Sequence, residues 1–104
     1  MELNVLERLL ALNLLPKEGT FANLKLLRVT RENLSFSEEE NKSLNFRNEG
    51  TGNEARTLWN DGLPDKDVQI GEVATQMLVK ALKKLNDEEK LTPEHMTLYE
   101  KFVE

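Results

Sequence analysis

Lys25, Arg28 and Arg31 recur at three-residue intervals in a stretch whose leucines predict a helix, and they form the most coherent basic stripe in the chain. Arginine's planar fork suits two-point contact with phosphate or carboxylate. The stripe could therefore hold a nucleotide, another small anionic ligand, a nucleic-acid backbone or an acidic partner. A solvated helix face, paired with Glu32 or with the acidic C-terminal half, accounts for it without any ligand. His95 is the sole histidine, so a Ser–His–Asp triad or a multi-histidine metal site would have to be built around it. It stands in TPEH, near an expected helix start where the dipole disfavours the charged ring, with only Glu94 and Tyr99 as suitable neighbours. An ordinary surface histidine is the expectation, and no catalytic residue and no metal ligand are assigned.

The remaining chemistry-bearing residues have structural explanations. SEEE at 37–40 and DEE at 87–89 are expected at helix starts or turns, where carboxylates complement the positive end of the helix dipole. Neither run has the apolar flanks that would bury one carboxyl as a general acid, and DEE lacks the ligand spacing and internal glycine of a calcium loop. The glycines of GTGN lack the third glycine of a dinucleotide fingerprint and the GK[ST] of a P-loop, so a hairpin loop explains them and no cofactor is expected. Trp59 follows Leu58 in a strand-like run, and consecutive strand residues face opposite sides. Trp59 is thus a candidate interface anchor or the lid of a small core. Val5 and Leu12 widen the apolar surface of the first helix beyond one stripe and are candidate interface residues as well.

These residues belong to a chain of 104, enough for a single compact domain over residues 1–104 with one core and too short for a repeat array. The absence of cysteine excludes disulfides, thiol nucleophiles and thiolate metal sites. With 14 basic and 19 acidic side chains the net charge is −5, and residues 53–104 hold seven basic against eleven acidic. That balance opposes attraction to nucleic acid or anionic lipid, so nucleic acid and membrane are disfavoured as partners. The opening MELNVLERLLALNLL lacks a basic n-region and a small-residue cleavage site, and a cytoplasmic location is expected.

Helical spacing of Leu3, Leu6, Leu9, Leu10 and Leu14 predicts a first helix that stops by Leu15, ahead of Pro16. Thr20 is placed to cap a second helix, with Phe21, Leu24, Leu27 and Leu34 on its buried face. Ser37 and Glu40 form a capping-box pattern for a short third helix, with Phe36 before the cap. From Leu44 to Ile70 the period alternates: Leu44 and Phe46, ARTLWN and DVQI predict three strands, with EGTGN as a hairpin loop. Val73, Ala74, Met77, Leu78, Ala81, Leu82 and Leu85 predict a strongly amphipathic helix. Thr92 and Pro93 then open a last one, with Met96, Tyr99, Phe102 and Val103 inward. The expected fold is α+β, a small antiparallel three-stranded meander packed with four to five helices in the order ααα-βββ-αα. Such a sheet is marginal alone, so the helices are expected to cover it.

ERLLALNLLPKEGTFANLKLLR, LSFSEEE and KLTPEHMTLYEKF together resemble the small orphan proteins of tailed bacteriophages and prophages. The resemblance spans nearly the whole chain. It implies a viral accessory protein in the host cytoplasm, for which host-factor binding, defence inhibition and assembly assistance are all open, and it transfers no functional residue. The expected function is a non-enzymatic, self-associating interaction module, with itself or a host or phage protein as partner. The alternatives are a protein that sequesters a nucleotide or small anion through Lys25, Arg28 and Arg31, a winged-helix-like DNA binder, and a small hydrolase. The glutamates of SEEE at the start of the would-be recognition helix weigh against DNA.

Overall fold

Side-chain caps open the first three helices. The computed structural model describes residues 1–52 and 56–104. Asn4 ends the two-residue strand β1 (Glu2–Leu3) and starts α1 (Val5–Leu14) through a capping box: Asn4 Oδ1 accepts from Glu7 N, and Glu7 Oε1 accepts from Asn4 N. Thr20 caps α2 (Phe21–Leu34) by accepting from Asn23 N at 3.2 Å. Ser37 and Glu40 form the second capping box and open α3 (Glu38–Leu44). Asn45 then stops that helix in the left-handed region at φ 47°.

The chain continues through β2 (Arg47–Glu49), β3 (Arg56–Leu58), β4 (Lys66–Asp67), the long α4 (Glu72–Asp87), a 3-10 turn over Pro93–His95 and α5 (Met96–Phe102). The architecture is α+β, with five α-helices among the described residues and short antiparallel strands in two small sheets. The three-stranded meander is not formed. β2 pairs with β3, Arg47 opposite Leu58 and Glu49 opposite Arg56, while β4 pairs instead with β1 at the other end of the chain, Leu3 opposite Lys66. Leu44 is buried as the last residue of α3 rather than the first of a strand, which shortens the meander from its start. Asn53, in the expected hairpin loop, and Ala55, in the expected second strand, lie outside the described residues.

One hydrophobic core draws on β1, the residue that follows β4 and the helices with their ends: Leu3, Ala11, Leu15, Leu27, Leu34, Val68, Ala74, Leu78, Leu82 and Leu98. Helix α1 lies against α2, α4 and the 3-10 turn, and α4 packs on α2 and α5. The β1–β4 ribbon is anchored to the core only at Leu3, with Val68 buried just past the end of β4, while Glu2, Lys66 and Asp67 are exposed. The β2–β3 hairpin is not covered. Its residues are exposed except for the half-buried Leu58, so the expectation that helices clamp the whole sheet fails there. What holds the hairpin is a satellite aromatic stack: Phe36 meets Phe46 edge-on at 5.3 Å, and Phe46 meets Trp59 at 6.1 Å. Asn60 adds backbone and side-chain hydrogen bonds to Leu44 O and Ser43 O.

Two ion pairs pin α1. Arg8 is 1% exposed, its guanidinium 3.9 Å above the Phe36 ring; Nε donates to Leu34 O, Nη2 to Ser35 O and Nη1 to Glu40 Oε2 at 2.8 Å. With the further contact from Nη2 to Glu40 Oε1 at 3.3 Å, four donor contacts and a ring face explain how a charge is tolerated there. Glu7, also buried, accepts from Lys101 Nζ at 2.8 Å and so ties α1 to α5. The acidic run Asp87–Glu89 ends α4 and passes into a turn, one of the two placements expected for it; Glu89 adopts φ 57° while Lys90 N donates to Leu85 O.

Candidate functional site

Helix α2 has more apolar residues than its own core can cover. Leu27 and Leu34 are buried and Leu24 is half-buried, as the sequence expects, but Phe21 is 80% exposed and lies off the buried face. Leu26 and Val29 are 51% and 54% exposed. At 100° per residue Ala22, Leu26, Val29 and Asn33 follow steps of four, three and four, and so form a second stripe beside the buried one. The stripe borders a groove of about 260 Å³ between α2 and the start of α4, where Ile70, Val73 and Ala74 supply the opposite wall. Asn33 closes one end by donating to Gln69 O at 3.1 Å. Val73, expected in the core, is partly exposed here because α4 turns Ala74, Leu78 and Leu82 inward.

The basic stripe does not stay together. Arg31 is half-buried and its Nη2 donates to Pro16 O at 2.6 Å and to Leu15 O at 3.5 Å, closing the turn between α1 and α2. Lys25 and Arg28 remain exposed beside Phe21 and Leu24 around a shallow depression of about 200 Å³. An anion there would meet two mobile cations. Among the described residues none of Lys25, Arg28 and Glu32 enters an ion pair.

The three candidate interface residues serve their own chain. Val5 is buried and Leu12 packs half-buried against the core, because α1 lies among the other helices. Trp59 is half-buried on Phe46 and borders a cleft of about 250 Å³ with Val5, Leu6 and Leu63. A larger depression of about 600 Å³ runs along α4 past Thr75, Val79, Lys80, Lys83 and Lys84, but among the described residues α4 alone lines it.

Elsewhere the titratable groups have structural partners. His95 Nδ1 accepts from Thr92 N at 3.1 Å, so the neutral ring carries its proton on Nε2 and acts as the cap of the 3-10 turn. Glu40 is held at about 2 by the Arg8 guanidinium, with help from Ser37 N–H against the cost of burial. Burial pushes the Glu7 carboxyl up, yet the hydrogen bonds from Asn4 N–H and Lys101 Nζ hold it below the usual range. Glu7 Oε2 alone is buried without a hydrogen-bond partner among the described residues. Glu38 and Glu39 stay exposed at the start of α3, the end a recognition helix would turn toward bases. Among the described residues no three His, Asp or Glu side chains form a group that could hold a metal ion, and no helix is long and apolar enough to cross a membrane. No family model, curated protein or solved structure matches this chain.

Proposed function

We propose that this chain is a non-enzymatic interaction module that self-associates through the outer face of α2. The observation that carries this reading is the pairing of Leu26 and Val29, each more than half exposed, with Val73 across an apolar groove. Scattered apolar residues are ordinary on a surface; a helical stripe running beside a groove is what an apolar helix of a partner fits. The sole imidazole is engaged in a cap and the perturbed carboxylates are engaged in ion pairs, which favours docking over bond-breaking. An accessory role of the kind the phage resemblance implies suits such a module.

Light scattering on a size-exclusion column tests it with the wild type, Leu26→Glu and the control Lys83→Glu, whose residue is exposed on α4 away from the groove. The wild type and the control should rise with concentration from 12.0 kDa toward twice that mass. Leu26→Glu, folded by circular dichroism, should stay at the mass of one chain. Equal association of Leu26→Glu and wild type would move the interface elsewhere.

A further inference from the structure

We infer that the occupant of the groove face is the α2 of a second copy, laid antiparallel so that Lys25 of each chain meets Glu32 of the other. This rests on the self-association proposed above and specifies its orientation and register. The steps of four, three and four from Ala22 to Asn33 are the spacing of a two-helix seam, with Ala22 and Val29 in d positions and Leu26 and Asn33 in a positions. An antiparallel pair with its twofold between Leu26 and Val29 sets Leu26 of each chain against Val29 of the other, and Ala22 against Asn33. The contact is isologous: one patch completes itself.

Charge selects this arrangement over the parallel one. The g positions flanking the seam are Lys25 and Glu32, both exposed and neither in an ion pair among the described residues. They lie seven residues apart, about 10 Å along the axis at 1.5 Å per residue, too far to satisfy each other within one helix. In an antiparallel pair g faces g, which places Lys25 beside Glu32 of the second copy twice by symmetry. In a parallel pair g faces e, and Lys25 would face Thr30, which is buried in its own chain. Only the antiparallel arrangement therefore gives each cation a carboxylate.

Sedimentation of K25E, E32K and the double exchange K25E/E32K tests the register. Each single reversal places like charges together at two symmetric points, and its dimer dissociation constant should rise roughly tenfold. The double exchange should return to within about threefold of wild type. K25E mixed with E32K should form a heterodimer in preference to either homodimer, since the all-acidic flank then faces an all-basic one. If the wild type dimerises and the single reversals change its affinity less than twofold, or the double exchange fails to restore it, the antiparallel register is wrong while self-association stands. If the wild type stays monomeric, both fall together.

Discussion

Replacing Glu40 with glutamine isolates the charge that lets Arg8 lie inside the molecule. The side chain keeps its shape, and its oxygen can still accept from Ser37 N, but the guanidinium loses the carboxylate 2.8 Å from Nη1. Arg8 foremost, with Ser37 N–H and Lys66, lowers the Glu40 pKa from 4.5 to about 2, and a separation of that size corresponds to about 3 kcal/mol in favour of the charged form, of which Arg8 supplies the largest share. Glu40 retains 19% exposure, so water recovers part of this, and the expected loss is about 2 kcal/mol at pH 7. In urea that would lower the midpoint by about 1 M, and in a thermal scan it would lower Tm by roughly 8–16 °C. Because the folded-state pKa is depressed, the carboxylate's contribution is complete above its unfolded value near 4.5 and disappears as pH falls through about 2. Urea titrations of both proteins at pH 7 and pH 2.5 therefore carry the test. The gap should be largest at pH 7 and should shrink by about half or more at pH 2.5, with other carboxylates cancelling in the difference. A gap below about 0.5 kcal/mol at pH 7, or one independent of pH, would refute the ionic account of Arg8.

Two further substitutions probe local features. Glu89 stands at φ 57° where α4 ends, with Lys90 N bonded to Leu85 O in the pattern that glycine serves best, so Glu89→Gly should raise stability by about 0.5–1 kcal/mol, read as a higher urea midpoint; a loss would show that its carboxylate contributes more than the strain costs. Phe46 is the middle ring of the stack that holds the exposed hairpin, so Phe46→Ala should speed hydrogen exchange of the β2 and β3 amides by roughly tenfold while leaving Leu78 and Leu82 at their wild-type rates; uniform acceleration would place the stack within the global folding unit.

Local chemistry was legible along the chain where a few adjacent residues decide the outcome. Thr20 and the Ser37–Glu40 pair cap as their types require, and α4 buries Ala74, Leu78 and Leu82 as their spacing dictates. Pairings between distant segments were not. β1 meets β4 across more than sixty residues through two short strands, too few to leave an alternating pattern at either end. Nothing in ERLL marks Arg8 as buried, because its acceptors come from Leu34, Ser35 and Glu40, which the packing of α1 on α2 brings within reach. The candidate surface shows the same division. Leu26 and Val29 stand in plain view at seam spacing, but α2 has two apolar stripes and periodicity does not say which one the neighbouring helices cover; Phe21, in the first turn and 80% exposed, lies on neither. Arg31 left the basic stripe for the carbonyl groups of Leu15 and Pro16, a loss that residue type alone does not reveal.

Sedimentation equilibrium of the unaltered protein, from a few micromolar to several hundred micromolar, measures self-association most directly. The apparent mass should climb from 12.0 kDa toward the value for two chains and fit a monomer–dimer equilibrium. A mass that remains at 12.0 kDa throughout that range would contradict the assignment of the α2 face.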